Sequence, residues 1–324
     1  MSRRDAIVKP VEKEMEVFNR LYDEVLQGHS PDFQSMIDFV RESSGKKIRP
    51  IVSLLTAKIC GDVNENTLNY AVVLELLHTA TLIHDDVVDD TKVRRGRPSV
   101  NAQYDNRMAV LLGDYVLSLS IVRAVMSQSL QILGIISRLA QNLAEGELSQ
   151  WASSGGKNIE EDRYFEIIRK KTAVLLSSCS EMGALSAKAN KETVEKFRLF
   201  GEYLGICFQI KDDIFDYYEE GQLGKPTGND LREGKITLPL IYALKNTPAN
   251  QSAEMLELIK NSDFTAENIK SLINFAKESG GIEYARGKME ETKQKALDIL
   301  SEFPESEAKN AIIQLVDYII ERKK

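Results

Sequence analysis

Helical periodicity runs through this chain from end to end, and strand signals are nearly absent. Val11, Met15, Phe18 and Tyr22 recur at the spacing of one helix face. The pattern continues over 32–40 and over 48–59, which closes on Cys60-Gly61 as a C-cap. Longer stretches follow at 64–89, 107–126, 130–150, 162–189 and 191–218, and shorter helices fill 237–322, with Pro304 starting the last. The stretch 64–89 is apolar on most sides, and Leu68, Ala71, Val72, Leu76, Thr79 and Leu82 continue one stripe. A helix that is apolar all round is buried by its neighbours rather than laid on a surface. No linker-like composition divides the 324 residues. The expectation is one all-α domain over 1–324, built as a bundle of long helices.

Acids outnumber bases 49 to 42, for a net charge of −7. With no basic excess to neutralise phosphates, the balance argues against a general nucleic-acid binder but leaves room for a local anion site. Cys60, Cys179 and Cys207 form neither a CxxC nor a metal-ligand spacing and read as reduced, mostly buried thiols. The N-terminal MSRRDAIVKPVEKEMEVF has basic residues but no apolar h-region. No apolar run is long enough to span a bilayer. These features predict a soluble, cytoplasmic protein with no nucleic-acid partner and no stable membrane anchor.

The long helix 64–89 ends in Asp85, Asp86, Asp89 and Asp90, and Lys92, Arg94, Arg95 and Arg97 follow almost at once. Asp85 pairs with Asp89 at i,i+4, and so does Asp86 with Asp90, while His78, Thr81 and Asp85 fall near one face. Acids there oppose the helix dipole and repel each other, which a cation would relieve. A solvated turn and a hard-cation site such as Mg²⁺ both remain open for this cluster alone. A second cluster repeats the spacing: Asp212, Asp213 and Asp216 match Asp85, Asp86 and Asp89 as D-D-x-x-D. It also closes a long apolar helix and precedes a Gly-rich loop holding Lys225 and Lys235. If the two helix ends face each other, six carboxylates cannot all stay ionised without cations between them. Two carboxylate walls, divalent metal and a basic rim describe a polyphosphate site. Neither segment has the D-x-D-x-D-G loop of an EF-hand.

With GKKIRP, DDVVD, RRGRP, KKT, DDIFD and GKPTGND in this order, the chain resembles the all-trans isoprenyl diphosphate (polyprenyl) synthase family over nearly its whole length. It is most like the bacterial long-chain, octaprenyl-type members. The resemblance implies an isoprenoid synthase fold, a single-domain bundle of long helices around a central catalytic cavity, commonly a homodimer. It further implies isopentenyl diphosphate and an allylic diphosphate as substrates and Mg²⁺ as cofactor. Asp85, Asp86 and Asp89 would bind Mg²⁺, with Asp212 as the direct ligand of the second motif and Asp213 and Asp216 in support. Lys46, Arg49, His78 and Arg95 would hold isopentenyl diphosphate. Arg94, Lys225 and Lys235 would hold the allylic diphosphate, while Lys171, Thr172 and Gln209 would lie over the reacting centre. Taken one at a time, each basic residue also reads as an exposed cation and His78 as a core histidine. Lys47, Asp90, Arg97 and Lys170 carry the weakest motif support.

Ala80 and Thr81, five and four residues before Asp85, are small where short-chain members tend to place an aromatic floor. The resemblance therefore implies a long product, in the octaprenyl range, for a quinone side chain. A farnesyl or geranylgeranyl product remains the alternative, if a bulky residue elsewhere closes the tunnel. A class I terpene cyclase needs no isopentenyl site, a partner subunit would be expected to lose acids or basic clamps, and a helical scaffold of repeats would show a 30–50-residue period, which is not visible.

Overall fold

A computed structural model describes residues 3–27, 31–42, 45–156, 159–218 and 228–321. Helix α1 (Arg3–Val8) leads through one 3₁₀ turn into α2 (Glu12–Val25), followed by α3 (Pro31–Glu42), α4 (Ile48–Cys60) and α5 (Glu65–Val88). Two short strands, β1 (Val93–Arg94) and β2 (Arg97–Pro98), make an antiparallel hairpin in the basic loop. Then come α6 (Val100–Gln103), α7 (Asn106–Met126), α8 (Leu130–Ser153), α9 (Glu161–Ile168), α10 (Val174–Ser186) and α11 (Lys191–Phe215). The C-terminal part is α12 (Asn229–Arg232), α13 (Leu238–Asn246), α14 (Ala249–Lys260), α15 (Ala266–Glu278), α16 (Gly281–Ser301) and α17 (Glu307–Glu321). The all-α expectation holds.

The contacts divide the chain into two compact units. The first comprises 1–138, 178–198 and 303–312, and the second 139–177, 199–302 and 313–324. In the first, α5 is the central element and packs on α2, α4 and α7. Its Val72, Val73, Leu74, Leu76 and Leu77 are almost fully buried, each contributing roughly 1.5–3 kcal/mol by leaving water. Asn64 caps the helix through a reciprocal box with Thr67, and the Thr67 hydroxyl also bonds Ser186 at 2.6 Å. In the second unit, α13 packs on α9, α15 and α16.

Three expectations need correction. The stretch 162–189 is not one uniform α-helix: a π-helical turn, Arg169–Ala173, separates α9 from α10. Pro304 does not start the last helix, because Ser306 caps it by accepting the Lys309 amide at 3.1 Å, leaving Pro304 in the preceding loop. Finally, α7 does meet the length and hydropathy of a membrane span, at 21 residues and a mean of 1.7. Looking for unbroken apolar runs missed it because Asp114 and the serines interrupt the pattern. Its Ala109, Leu112, Gly113, Val116, Ser120 and Ala124 are buried, and α5 is its main packing partner. Its opposite face exposes Leu111 (54%), Ile121 (50%), Val122 (57%) and Met126 (68%).

Candidate active site

In the first unit, the end of α5 is tied to the β1–β2 hairpin. The Asp86 carbonyl accepts from the Thr91 amide (2.9 Å) and from Asn101 Nδ2 (3.0 Å). The Asp86 carboxylate is buried, and its Oδ1 accepts from Arg94 Nε and Nη2, both at 2.7 Å. Asp85 and Asp89 are half-buried on the last turn of α5, where they face water more than Asp86 does. Asp90 is exposed and paired with Lys92 at 2.5 Å, the solvated role its lack of a counterpart in the second cluster suggests. Arg97 bonds the Glu42 carbonyl and carboxylate on the surface.

A cleft opens here, lined among others by Glu75, His78, Asp86, Arg94, Arg95 and Tyr22. Arg95 and Lys47 both hold positive φ, 54° and 51°, a conformation that costs non-glycine residues energy and recurs at functional sites. Lys47 donates to Asn19 (2.8 Å) and sits 5.0 Å over the Tyr22 ring, so it lines the interior rather than solvent. Arg49 Nε is buried without a hydrogen-bond partner, and burial lowers its pKa, opposed by Glu75. His78 is buried; burial, then Arg49, Arg95 and Arg94, hold its pKa well below the usual value, so its imidazole is neutral. Lys46 is exposed. Ala80 is in the core, and the Thr81 hydroxyl donates back to the His78 carbonyl at 2.9 Å.

Glu75 was not anticipated. It is the one acid inside an apolar stripe, and that oddity was its only signal. It is buried, its Oε2 has no hydrogen-bond partner, and burial raises its pKa against the pull of Arg49, Lys47 and Arg95. Arg94 and Arg95 in the cleft, with Arg49 and Lys47 close to Glu75, outnumber the two buried carboxylates Glu75 and Asp86, a local excess of positive charge suited to an anion.

The second unit holds the other motif residues. Two glycines let neighbouring helices come close to the π turn. A Cβ on Gly146 would lie 2.7 Å from the Lys171 nitrogen, and one on Gly205 would lie 2.4 Å from the Ala173 Cα. Gly205→Ala is therefore expected to destabilise the protein by about 1–3 kcal/mol through overpacking. It should also lower kcat by up to about a hundredfold by displacing the turn, read from Tm and steady-state turnover.

Lys171 Nζ donates to Glu147 (2.9 Å) and Gln150 (2.5 Å), whereas Lys170 pairs with Glu145 and Glu166 in ordinary surface fashion. Thr172 Oγ1 donates to Gln209 Oε1 at 2.6 Å, Gln209 Nε2 donates to Asp213 Oδ1 at 2.7 Å, and Tyr164 Oη donates to Asp213 Oδ2 at 2.6 Å. Asp213 is buried; burial pushes its pKa up to about 7, the Tyr164 and Gln209 bonds pull it down, and Asp212 and Asp216 push it up again. Asp216 accepts the backbone amides of Asn229 (2.9 Å) and Asp230 (3.0 Å). Asp230, another residue unread from the sequence, carries a pKa held well above its usual value by burial and then by Asp213 and Asp216. Lys235 pairs with Glu233. Lys225 lies outside the described residues.

Among the described residues no three acid, histidine or cysteine side chains already converge as a metal cage. Mg²⁺ does not need one, since it is typically held by one or two carboxylates with waters and substrate phosphates. The all-oxygen donor set fits such an ion. So does the crowding of Asp213, Asp216 and Asp230, whose pKa values are raised first by burial and, for Asp213 and Asp230, further by neighbouring carboxylates.

Comparison with known proteins gives a consistent result. Residues 30–276 match the family model described as polyprenyl synthetase. The octaprenyl diphosphate synthase of Haemophilus influenzae is 34% identical over 98% of this chain and 97% of its own length. Among solved structures, a polyprenyl synthase from Caulobacter crescentus complexed with calcium and isoprenyl diphosphate superposes with a TM-score of 0.91. It is 32% identical, covering 99% of this chain and 98% of that one. A geranylgeranyl pyrophosphate synthase from Bacteroides thetaiotaomicron superposes at 0.86, with 42% identity over 99% of this chain and all of that one.

Proposed function

Since the chain belongs to the polyprenyl synthetase family, we propose that it adds successive isopentenyl diphosphate units to an allylic diphosphate and releases a long all-trans polyprenyl diphosphate, near C40. The observation that carries this reading is the cationic cleft beside the first aspartate motif, with Arg94, Arg95, His78 and Asp86 at one opening. The whole of 1–324 is read as one polyprenyl synthetase domain, because a single family model spans segments of both compact units.

Lys46, Arg49 and Arg95 supply charge for the diphosphate of the isopentenyl substrate, and His78, being neutral, offers a ring N–H rather than a charge. Arg94, Lys171, Lys225 and Lys235 are assigned to the allylic diphosphate, where fixed positive charge favours the developing leaving group. As the allylic carbon–oxygen bond breaks, its electron pair leaves with the diphosphate. The isopentenyl double bond then closes the new carbon–carbon bond, and the departing diphosphate takes up the lost proton. Thr172 and Gln209 turn oxygen dipoles to the electron-poor carbon. Asp85, Asp86 and Asp89, with Asp212 and in support Asp213 and Asp216, are the residues that would hold Mg²⁺. When bound, Mg²⁺ supplies Lewis-acid withdrawal of charge from the diphosphate. The calcium in the Caulobacter crescentus complex supports a divalent ion here.

Product length rests on the similarity to the octaprenyl synthase and on the small Ala80 and Thr81. The 42% identity to a geranylgeranyl synthase favours a C20 product instead. Incubation with farnesyl diphosphate and labelled isopentenyl diphosphate, then chromatography of the dephosphorylated products, separates the two: a dominant C40 species is expected, and a dominant C15 or C20 species overturns the long-chain reading.

A homodimer through the exposed face of α7 is part of the proposal, because a face this apolar suits a partner helix. The double variant Ile121→Glu/Val122→Glu should convert the dimer to a monomer by light scattering. A cytoplasmic location without a membrane anchor is proposed on the free state of Cys60, Cys179 and Cys207 and on the packing of α7 against α5.

A further inference from the structure

Tyr164 belongs to none of the motifs that resemble the family, yet it stands at the buried end of a run of hydrogen bonds that converge on Asp213 from both sides. The chain runs Tyr164 Oη to Asp213 Oδ2 (2.6 Å), Gln209 Nε2 to Asp213 Oδ1 (2.7 Å), and Thr172 Oγ1 to Gln209 Oε1 (2.6 Å). Tyr164 and Asp213 are in the core, while Gln209 and Thr172 are half-open.

Tyr164 Oη and Gln209 Nε2 each donate to one oxygen of the Asp213 carboxyl group. With its NH₂ committed there, Gln209 presents Oε1 on its other side. Thr172 must then give its single hydroxyl proton to that oxygen. Thr172 Oγ1 is left with lone pairs and no proton to offer. Turning the Gln209 amide over would set Oε1 against the carboxylate at the 2.7 Å now occupied by a donor, two acceptors face to face. The Tyr164 hydroxyl is the donor in the 2.6 Å bond to Asp213 Oδ2.

We propose that Tyr164 and Asp213 are positioning residues that fix the Thr172–Gln209 pair with oxygen lone pairs, and no N–H or O–H, turned toward the electron-poor allylic carbon. The inference rests on the prenyl-transfer reading above. No proton enters the chain in the reaction: the allylic carbon–oxygen pair leaves with the diphosphate, the isopentenyl double bond supplies the new carbon–carbon bond, and the lost proton goes to the released diphosphate. Without the Tyr164 hydroxyl, Asp213 Oδ2 is buried with no donor, and its carboxylate turns away from Gln209 to find one.

The test uses the full-length enzyme with farnesyl diphosphate, labelled isopentenyl diphosphate and Mg²⁺. Absence of any condensation by the unmodified protein would sink the prenyl-transfer reading itself. Given activity, Tyr164→Phe is expected to lower kcat by about ten- to thirtyfold through loss of alignment, with KM for both substrates and the half-saturating Mg²⁺ concentration within about twofold. On a Thr172→Val background, where the end of the chain is already gone, the same change should cost less than about threefold. Unchanged kcat, a shifted Mg²⁺ requirement, or losses that simply multiply would each overturn the proposal. If Tyr164→Phe does not fold by circular dichroism, the comparison at the other end decides: Thr172→Ser should recover most of the turnover that Thr172→Val loses, and equal losses would refute the lone-pair role.

Discussion

Asp85→Ala is expected to cut turnover at least about a thousandfold, close to 4 kcal/mol in the barrier, while leaving the fold intact. The reason lies in how the first motif divides its acids. Asp86 is buried against Arg94, and Asp90 is paired with Lys92 in solvent. On the proposed reading Asp85 and Asp89, half-buried on the last turn of α5, hold the metal together with Asp86. The stability readout should move the other way. Asp85 sits in the C-terminal turn, where a negative charge opposes the helix dipole, so its removal should leave stability unchanged or raise it by about 0.3–1 kcal/mol. Turnover by radiolabel incorporation, with circular dichroism and a melting curve on the same sample, checks both signs. A variant that turns over normally would refute the metal assignment, and one that melts early would show that Asp85 is structural.

Arg49→Gln carries the second large effect. A buried guanidinium with an unpartnered Nε beside a cationic cleft is assigned to the isopentenyl diphosphate. Its loss should raise KM for that substrate about a hundredfold, close to 2.7 kcal/mol, and leave KM for the allylic substrate alone. Arg49→Lys should not restore binding, because an ammonium lacks the planar fork that matches a phosphate. Arg49 is also the foremost counter-charge of the buried Glu75. Removing it takes away the first of three counter-charges of that carboxylate, with Lys47 and Arg95 remaining, so Tm should fall. Adding Glu75→Gln to Arg49→Gln should bring Tm back toward the unmodified value without recovering KM. If KM and Tm recover together, Arg49 acts only as Glu75's partner.

The long helices were legible because α5 and α7 are long and apolar on most sides, while α8 and α11 keep a one-sided 3.6-residue pattern. Periodicity could not locate the π turn. RKKTA reads as ordinary helix, and the extra residue is stabilised by close helix approach at Gly146 and Gly205, a tertiary cause with no local pattern. Pro304 looked like a first helical residue because proline suits that position, but Ser306 offers the better cap. The paired aspartate motifs were legible as D-D-x-x-D repeats. Their unequal partners were not, since Arg94, Tyr164 and the amides of Asn229 and Asp230 meet them only in the folded chain. Glu75 and Asp230 escaped notice for the same reason: a single acid reveals its burial only once its neighbours are known.

The π turn sets the rotational phase of everything after it. At 3.6 residues per turn, each residue advances an α-helix by about 100°, so residues eight apart, such as Tyr164 and Thr172, would point about 80° away from each other. Inserting one residue as a wide turn makes them behave as if seven apart, within about 20° of a common line. Gln209 and Asp213 lie four apart on α11 and already share a face. The insertion thus brings two side chains of one helix into phase with two of another, and all four join in one chain of hydrogen bonds. Regularising this turn without deleting a residue would leave Tyr164 and Thr172 eight apart on one α-helix, about 80° out of step with each other.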